Sequence, residues 1–309
     1  MNRETLRSKF LGSLIGTALG DALGASVEGW MVAEGEVKAL AERGGLLIYT
    51  DDTHMAIGVA ESLIAKRGFD GEHMAHTFIK NYDLEPFRGY GPGPPRIFRM
   101  IKGGVAWDKA AEKLYSGGSY GNGSAMRIAP IGVFYYDDLA TLKQVAYKSS
   151  HITHAHELGK EGAALEACAI ALVTEAEPSF PFASDEFLRR LKSFIEHEVY
   201  QQKLGRIERL IGEGDKAKVV LELGNGIEAF NSVPTAIYSF LTHPQSFEEA
   251  IIYAISLGGD TDTIAAMTGA ISGAYLGIEA IPEGWKQRLE NREYIEELAQ
   301  KLWLIKMKG

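Results

Sequence analysis

Two short stretches carry residue types that could do chemistry together. Gly258-Gly259-Asp260-Thr261-Asp262-Thr263 crowds two carboxylates and two hydroxyls just ahead of an apolar helical pattern. Near the other end of the chain, Thr50-Asp51-Asp52-Thr53 repeats the arrangement and is followed by the apolar-periodic segment Met55 to Ile64. A helix cap needs one such side chain, and adjacent carboxylates repel unless a proton or a cation separates them. If the two helix starts face each other, their acids and hydroxyls share a cleft that calls for cations at neutral pH. Oxygen-only donors select Mg²⁺, Mn²⁺ or Ca²⁺ over zinc or copper, and a pair of such ions can orient a substrate and activate water. The plainer alternative is two capped helices that never meet.

Three other stretches could contribute. Glu28 stands on a loop loosened by Gly24 and Gly29. The glycine-rich Ser116 to Ser124 loop has backbone N–H groups able to cradle a diphosphate, and Arg88 to Pro95 reads as an exposed turn whose Tyr90 offers an aromatic face. His151, His154 and His156 are close enough in sequence to evoke zinc, but no fourth ligand follows, and one ligand-facing histidine is the better reading.

The elements that must position these groups are helical. Gly12, Gly16, Gly20 and Gly24 recur every fourth residue, a smooth ridge that admits another helix closely. Apart from Leu46 to Tyr49 almost nothing alternates with period two, so the pattern gives roughly a dozen helices. Helices are expected at about Gly71 to Tyr82 and Trp107 to Tyr115, with Asp260 capping Thr261 to Leu276 and Arg88 to Pro95 non-helical. Ala163 to Val173, with Cys168, reads as interior. The chain has 309 residues, 46% of them hydrophobic, and Pro178 and Pro181 mark the one plausible internal boundary between pieces that look interdependent.

A net charge of −9 without a basic run argues against bulk nucleic-acid binding. A single cysteine excludes an intrachain disulfide and fits a reducing cytoplasm. Arg3, Arg7 and Lys9 ahead of an apolar run copy a secretory signal superficially, but Asp21 interrupts the run, and no uncharged span of about 18 residues is expected to cross a membrane.

Four motifs in this order, Gly20-Asp-Ala-Leu-Gly-Ala with Glu28, Tyr49-Thr-Asp-Asp-Thr, Gly121-Asn-Gly-Ser-Ala-Met-Arg127 and Gly258-Gly-Asp-Thr-Asp-Thr, resemble the ADP-ribosylglycohydrolase family over nearly the full length. Arg88-Gly-Tyr-Gly, Gly118-Ser-Tyr-Gly-Asn-Gly and Asn225-Gly-Ile with Val233-Pro-Thr-Ala-Ile-Tyr are more similar to its ADP-ribosylserine hydrolase subgroup than to the dinitrogenase-reductase-activating or arginine-specific ones. The resemblance implies one all-α domain over residues 1–309, a compact orthogonal multi-helix bundle that is a monomer, with a two-Mg²⁺ centre in which Mn²⁺ can substitute.

By position, Thr50, Asp51, Asp52, Asp260, Asp262 and Thr263 would be the metal ligands, and Glu28, Asp52 and Asp262 the catalytic groups, Glu28 on a flap beside the scissile bond. Gly118, Ser119 and Tyr120 match the diphosphate loop, His154 the ligand-facing histidine, and Gly89, Tyr90 and Ile227 the walls around the adenosine end. An aromatic residue of the subgroup falls at Leu114, with Tyr115 one place along. The implied reaction is hydrolysis at C1″ of the distal ribose of an ADP-ribose-containing substrate, such as an ADP-ribosylated protein or O-acetyl-ADP-ribose. Arginine-type or nucleobase-type hydrolysis, a reader that binds without cutting, and a two-metal phosphoesterase stay open on the residues alone.

Overall fold

The glycines at 12, 16, 20 and 24 decide where the first helix goes. In the computed structural model, which describes residues 1–178 and 181–308, the helices Arg3–Gly24 and Thr261–Leu276 run antiparallel with their backbones in contact. A methyl on Gly12, Gly16 or Gly20 would overlap the carbonyl oxygen of Gly273, Gly269 or Ala265, and methyls on Gly269 and Gly273 would strike the carbonyls of Gly16 and Gly12. Ser13 Oγ donates to Ala270 O at 3.1 Å and Thr261 Oγ1 to Gly24 O at 2.9 Å, which fixes the register. The end of the first helix therefore lies beside the start of the other.

That first helix is the molecule's axis. From Phe10 to Gly24 every residue is buried. By length and composition Arg3–Val27 is apolar enough to cross a membrane, with mean hydropathy 1.4 despite the interrupting Asp21, but 89% of that window is buried among other helices. The signal-like segment is thus a core helix. The Glu157–Glu175 helix packs against the Thr261–Leu276 helix too, and Cys168 within it is fully buried as expected.

Among the described residues there are 17 α-helices and two 3-10 turns, all joined by a buried apolar cluster running from Leu6 to Leu302. The dozen read from periodicity falls short because helices such as Ala110–Leu114 and Glu283–Arg288 are too brief to display a period. Ala110–Leu114 is all that forms of the helix expected at Trp107 to Tyr115; Trp107 instead packs its ring over Gly71. The helix expected at Gly71 to Tyr82 runs Gly71–Leu84.

The Arg88 to Pro95 segment is irregular only to Pro92. Helix Gly93–Lys102 begins inside it, with Pro94 and Pro95 in the first turn, where a missing N–H removes no helical hydrogen bond. Leu46 to Tyr49 forms no strand: Leu47 makes one parallel bridge to Leu289. Of the proposed Pro178 to Pro181 boundary, residues 179 and 180 lie outside the described part, while the helices on either side, Glu157–Glu175 and Ser184–Phe194, pack together.

Candidate active site

Asp21 ties the second acidic stretch to the first helix. Its carboxylate is fully buried and accepts from four donor groups, the Thr50 N–H being shared between both oxygens. Oδ1 takes the N–H and hydroxyl of Thr50 at 3.0 and 2.8 Å, and Oδ2 takes the N–H and hydroxyl of Thr53 at 3.0 and 2.6 Å. A carboxylate facing a helix N-terminus is also favoured by the helix dipole. The Asp51–Lys66 helix, N-capped by Thr50, is thereby anchored to the same helix end that the glycine ridge brings to Thr261–Leu276. One helix sets the position of both acidic clusters.

Between them opens a cleft of about 350 Å³ lined by Glu28, Thr50, Asp51, Asp52, Asp260, Asp262 and Thr263 among others. All six expected ligands line it. Carboxylate oxygens of Glu28, Asp260 and Asp262 lie within 4.8 Å of one another, so the loop acid joins the helix-start acids. Asp52 Oδ1 is buried with no hydrogen-bond partner. Asp260 occupies the N-cap position of its helix, but its side chain makes no cap bond; it is turned to Asn122 Nδ2, which also donates to Ser232 Oγ at 3.0 Å. Asp262 instead accepts the N–H of Thr263 at 2.8 Å.

Burial raises the affinity of every one of these acids for protons, and repulsion from neighbouring carboxylates of the cluster adds to it at Glu28, Asp51, Asp52 and Asp262. Burial, then Asp21, pushes Asp51 up to about 7; burial, then Asp260, pushes Asp262 up to about 9. Asp52 is driven well above the ordinary carboxylate range by burial and then by Asp21 and Asp262, and Asp260 and Glu28 are raised mainly by burial. Asp21 too is raised by burial, against the opposing pull of its bonds from Thr53 and Thr50. At neutral pH such a cluster ionises fully only with positive charge beside it. The all-oxygen donor set and the orphaned Asp52 oxygen fit a hard divalent cation.

The other expected residues divide. Gly89, Ser119, His154 and Ile227 line the same cleft. Gly89 lies against Thr50 and Asp51, at the acidic end of the cleft. Tyr90 stands behind the cleft: its hydroxyl meets His54 Nδ1 at 2.9 Å and its ring packs edge-on against Tyr82 and Phe98. Gly118 and Tyr120 line a second cavity, which shares Tyr115, Ser119, Gly121 and Ile227 with the first and also includes Leu114. Tyr115 thus puts an aromatic ring at the junction despite Leu114.

In the glycine-rich loop, Gly118 has φ +83° and sits so close to His156 N that no side chain fits. The N–H groups of Gly118, Gly121 and Asn122 are engaged with Tyr115 O, Ser119 Oγ and Ile227 O, which narrows the diphosphate cradle expected there. The three histidines serve three purposes: His151 bonds Asp108 O, His156 caps the Glu157–Glu175 helix, and His154 faces the cleft.

Sequence reading missed Asp21, Asn122 and Arg127 as parts of the site. Each is a buried polar group whose partners lie far along the chain.

An all-helical body that gathers carboxylates from two helix starts and a loop at one cleft is built as an enzyme around an acidic, cation-ready centre. The family model described as ADP-ribosylglycohydrolase matches residues 2–308, and the chain belongs to that family. It is accordingly a hydrolase of glycosyl bonds. Among its relatives, human ADP-ribosylhydrolase ARH3 is 38% identical over 98% of this chain and 94% of its own, and the Gallus gallus ARH3 is 39% identical over 96% and 92%. The ADP-ribosyl-[dinitrogen reductase] glycohydrolase of Rhodospirillum rubrum is more distant, 26% identical over 94% and 93%. A solved structure, an ADP-ribosylglycohydrolase-related protein complex, has TM-score 0.77 at 27% identity and covers 98% of this chain and 100% of its own.

Proposed function

We propose that this protein hydrolyses the C1″ glycosidic bond of ADP-ribosyl groups and releases ADP-ribose, with serine-type protein adducts or O-acetyl-ADP-ribose as favoured substrates. The observation that carries this reading is the convergence of Glu28, Asp260 and Asp262 carboxylates within 4.8 Å, beside the orphaned Asp52 oxygen, in a cleft that continues past Ser119 and Tyr115 into a second cavity. An acidic centre at one end and a long polar-to-aromatic passage at the other match a ribose joined through a diphosphate to a nucleoside. The identity to the ADP-ribosylhydrolase ARH3 relatives, well above that to the dinitrogen reductase glycohydrolase, supports a substrate other than the dinitrogen reductase type; the serine-type choice rests on the Arg88-Gly-Tyr-Gly, Gly118 to Gly123 and Asn225 to Tyr238 motifs.

Thr50, Asp51 and Asp52 from one helix start, and Asp260, Asp262 and Thr263 from the other, would hold two Mg²⁺, with Mn²⁺ able to substitute. Bound there, the ions neutralise the carboxylates and polarise the oxygens they ligate. The chain's own part is orientation and proton handling. Gly89 leaves room against Thr50 and Asp51 for a sugar ring, and Ser119, His154 and Ile227 hold the rest of the ligand. Glu28 is exposed where the other acids are buried or nearly so, and burial with Asp260 raises its proton affinity, so it suits donation to the leaving-group oxygen. Asp52, whose buried Oδ1 has no hydrogen-bond partner, would orient the attacking water.

The test is a panel of defined substrates, ADP-ribosylated on serine, arginine or a nucleobase, and O-acetyl-ADP-ribose, each with Mg²⁺ or Mn²⁺ and scored for free ADP-ribose. Release from the serine adduct or the acetyl ester is expected. Release from arginine or nucleobase adducts alone would overturn the substrate choice, and release of AMP or phosphate the reaction.

A further inference from the structure

Arg127 is the largest fully buried side chain in the protein, yet every hydrogen bond it makes goes to a neutral group. Nη1 donates to Thr153 Oγ1 at 2.9 Å and to Met55 Sδ at 3.6 Å, Nη2 donates to Ser149 O at 2.9 Å, and the guanidinium lies 4.7 Å over the Phe78 ring. A buried cation without a bonded carboxylate is costly. Its position, directly beneath the cleft floor formed by Met55, Thr153 and His154, gives that cost a purpose.

Thr153 Oγ1 touches both Arg127 Nη1 and His154 Nδ1, the latter at 2.8 Å. A guanidinium can only donate, so the Thr153 oxygen accepts from Arg127. A second lone pair could accept from an Nδ1–H, but the buried hydroxyl's own proton would then have no acceptor; donated to His154 Nδ1, the other hydrogen-bond partner of this oxygen, it is satisfied. A ring nitrogen that accepts carries no proton, and in a neutral imidazole the proton then sits on the other nitrogen. That nitrogen, Nε2, points toward the glycine-rich loop: a Cβ placed on Gly121 or Gly123 would lie 3.4 or 3.0 Å from it. Glycine at both positions keeps the path from Nε2 into the cleft open.

We infer that Arg127 and Thr153 are positioning residues that lock His154 as the Nε2–H tautomer, so that it presents a fixed neutral N–H donor to an anionic oxygen of the ligand. Burial and the Arg127 charge also hold His154 well below the usual histidine range, to about 3, so the ring does not take a second proton. A neutral donor binds an anion without adding charge to a cleft already set by acids and cations. The ligand part of this inference rests on the ADP-ribose reading; the tautomer part does not.

Two measurements test the parts separately. In protein labelled with ¹⁵N-histidine, two-bond proton–nitrogen correlations, with His154 assigned through His154→Gln, are expected to show Nε2 protonated and Nδ1 bare. A proton on Nδ1 would overturn the inference with no variant involved. Thr153→Val keeps the shape but removes the hydroxyl; it should release the tautomer to a mixture and weaken ADP-ribose, titrated calorimetrically with Mg²⁺, by about tenfold or more. Thr153→Ser should restore both. Unchanged His154 nitrogen shifts in Thr153→Val would refute the relay, and unchanged affinity alongside an altered tautomer would refute the donor role. Failure of the unmodified protein to bind ADP-ribose would refute both the functional reading and the ligand part, while the tautomer stands or falls on the spectrum.

Discussion

Asp21 Oδ2 accepts both the backbone N–H and the hydroxyl of Thr53, at 3.0 and 2.6 Å, across a gap of 32 residues in sequence. With Oδ1 doing the same for Thr50, all its polar capacity in the site goes to holding one helix start, and none of it is aimed at the cleft. Asp21→Asn would turn an NH₂ group toward N–H and O–H donors. It should destabilise the protein by about 3 kcal/mol in urea unfolding and weaken cation binding, because the Thr50 to Asp52 turn loses its anchor. Unchanged stability would show that the bonds from these four donors do not position the helix.

The glycine ridge predicts a contrast within one residue type. Gly16→Ala would push a methyl into the Gly269 carbonyl, whereas a methyl on Gly35 meets nothing within 4 Å. Gly16→Ala should cost about 3 kcal/mol or fail to fold, and Gly35→Ala, on a helix, should be neutral or stabilise by up to about 1 kcal/mol. Equal melting temperatures for the two variants would mean that the helices can separate at little cost.

Removal of cations should make stability depend on pH in one direction. Asp51 and Asp262 are raised from 3.8 to about 7 and about 9, so the folded protein binds more protons than the unfolded chain. Their contribution is present below the ordinary carboxylate range and is lost as pH climbs through those values. In EDTA the melting temperature should fall between about pH 5 and about pH 9, and added Mg²⁺ should recover more of it the higher the pH. A Mg²⁺ effect that is the same at both ends would argue against ions among these carboxylates.

Glu28 and Asp262 sit within 4.8 Å of each other but are expected to fail differently. Asp262→Asn should abolish turnover and lower cation affinity. Glu28→Ala should reduce turnover by about 100-fold while leaving ADP-ribose binding in place. Loss of binding in the Glu28 variant, seen by calorimetry, would make it a structural or ligand-holding residue and move proton transfer to Asp52.

The acid clusters were legible because Thr50 to Thr53 and Asp260 to Thr263 exceed what helix capping needs, and the glycine ridge because its four-residue spacing has a direct packing meaning. The all-helical class followed from the near absence of period-two alternation. Asp21 was not recognised, although a charge inside an apolar helix must find donors, and the paired Thr50 and Thr53 hydroxyls are such a set. Asn122 and Arg127 act through partners 138 and 26 residues away, and spacing along the chain does not encode contacts at that range. Tyr90 and Gly89 were placed by motif; which way a loop side chain turns depends on its neighbours, here His54, Tyr82 and Phe98 for Tyr90.

The antiparallel seam between Arg3–Gly24 and Thr261–Leu276 joins the earliest helix to one of the last. During synthesis Asp21 can organise Thr50 and Thr53 early, but Asp260 and Asp262 emerge only after most of the chain has been made. The nascent protein therefore carries a half-built centre with an apolar, glycine-lined groove open along its first helix. Without the Thr261–Leu276 helix the cleft lacks Asp262 and Thr263 and the glycine-lined face of the first helix is uncovered, so a chain truncated before residue 261 should be both inactive and prone to stick through that face.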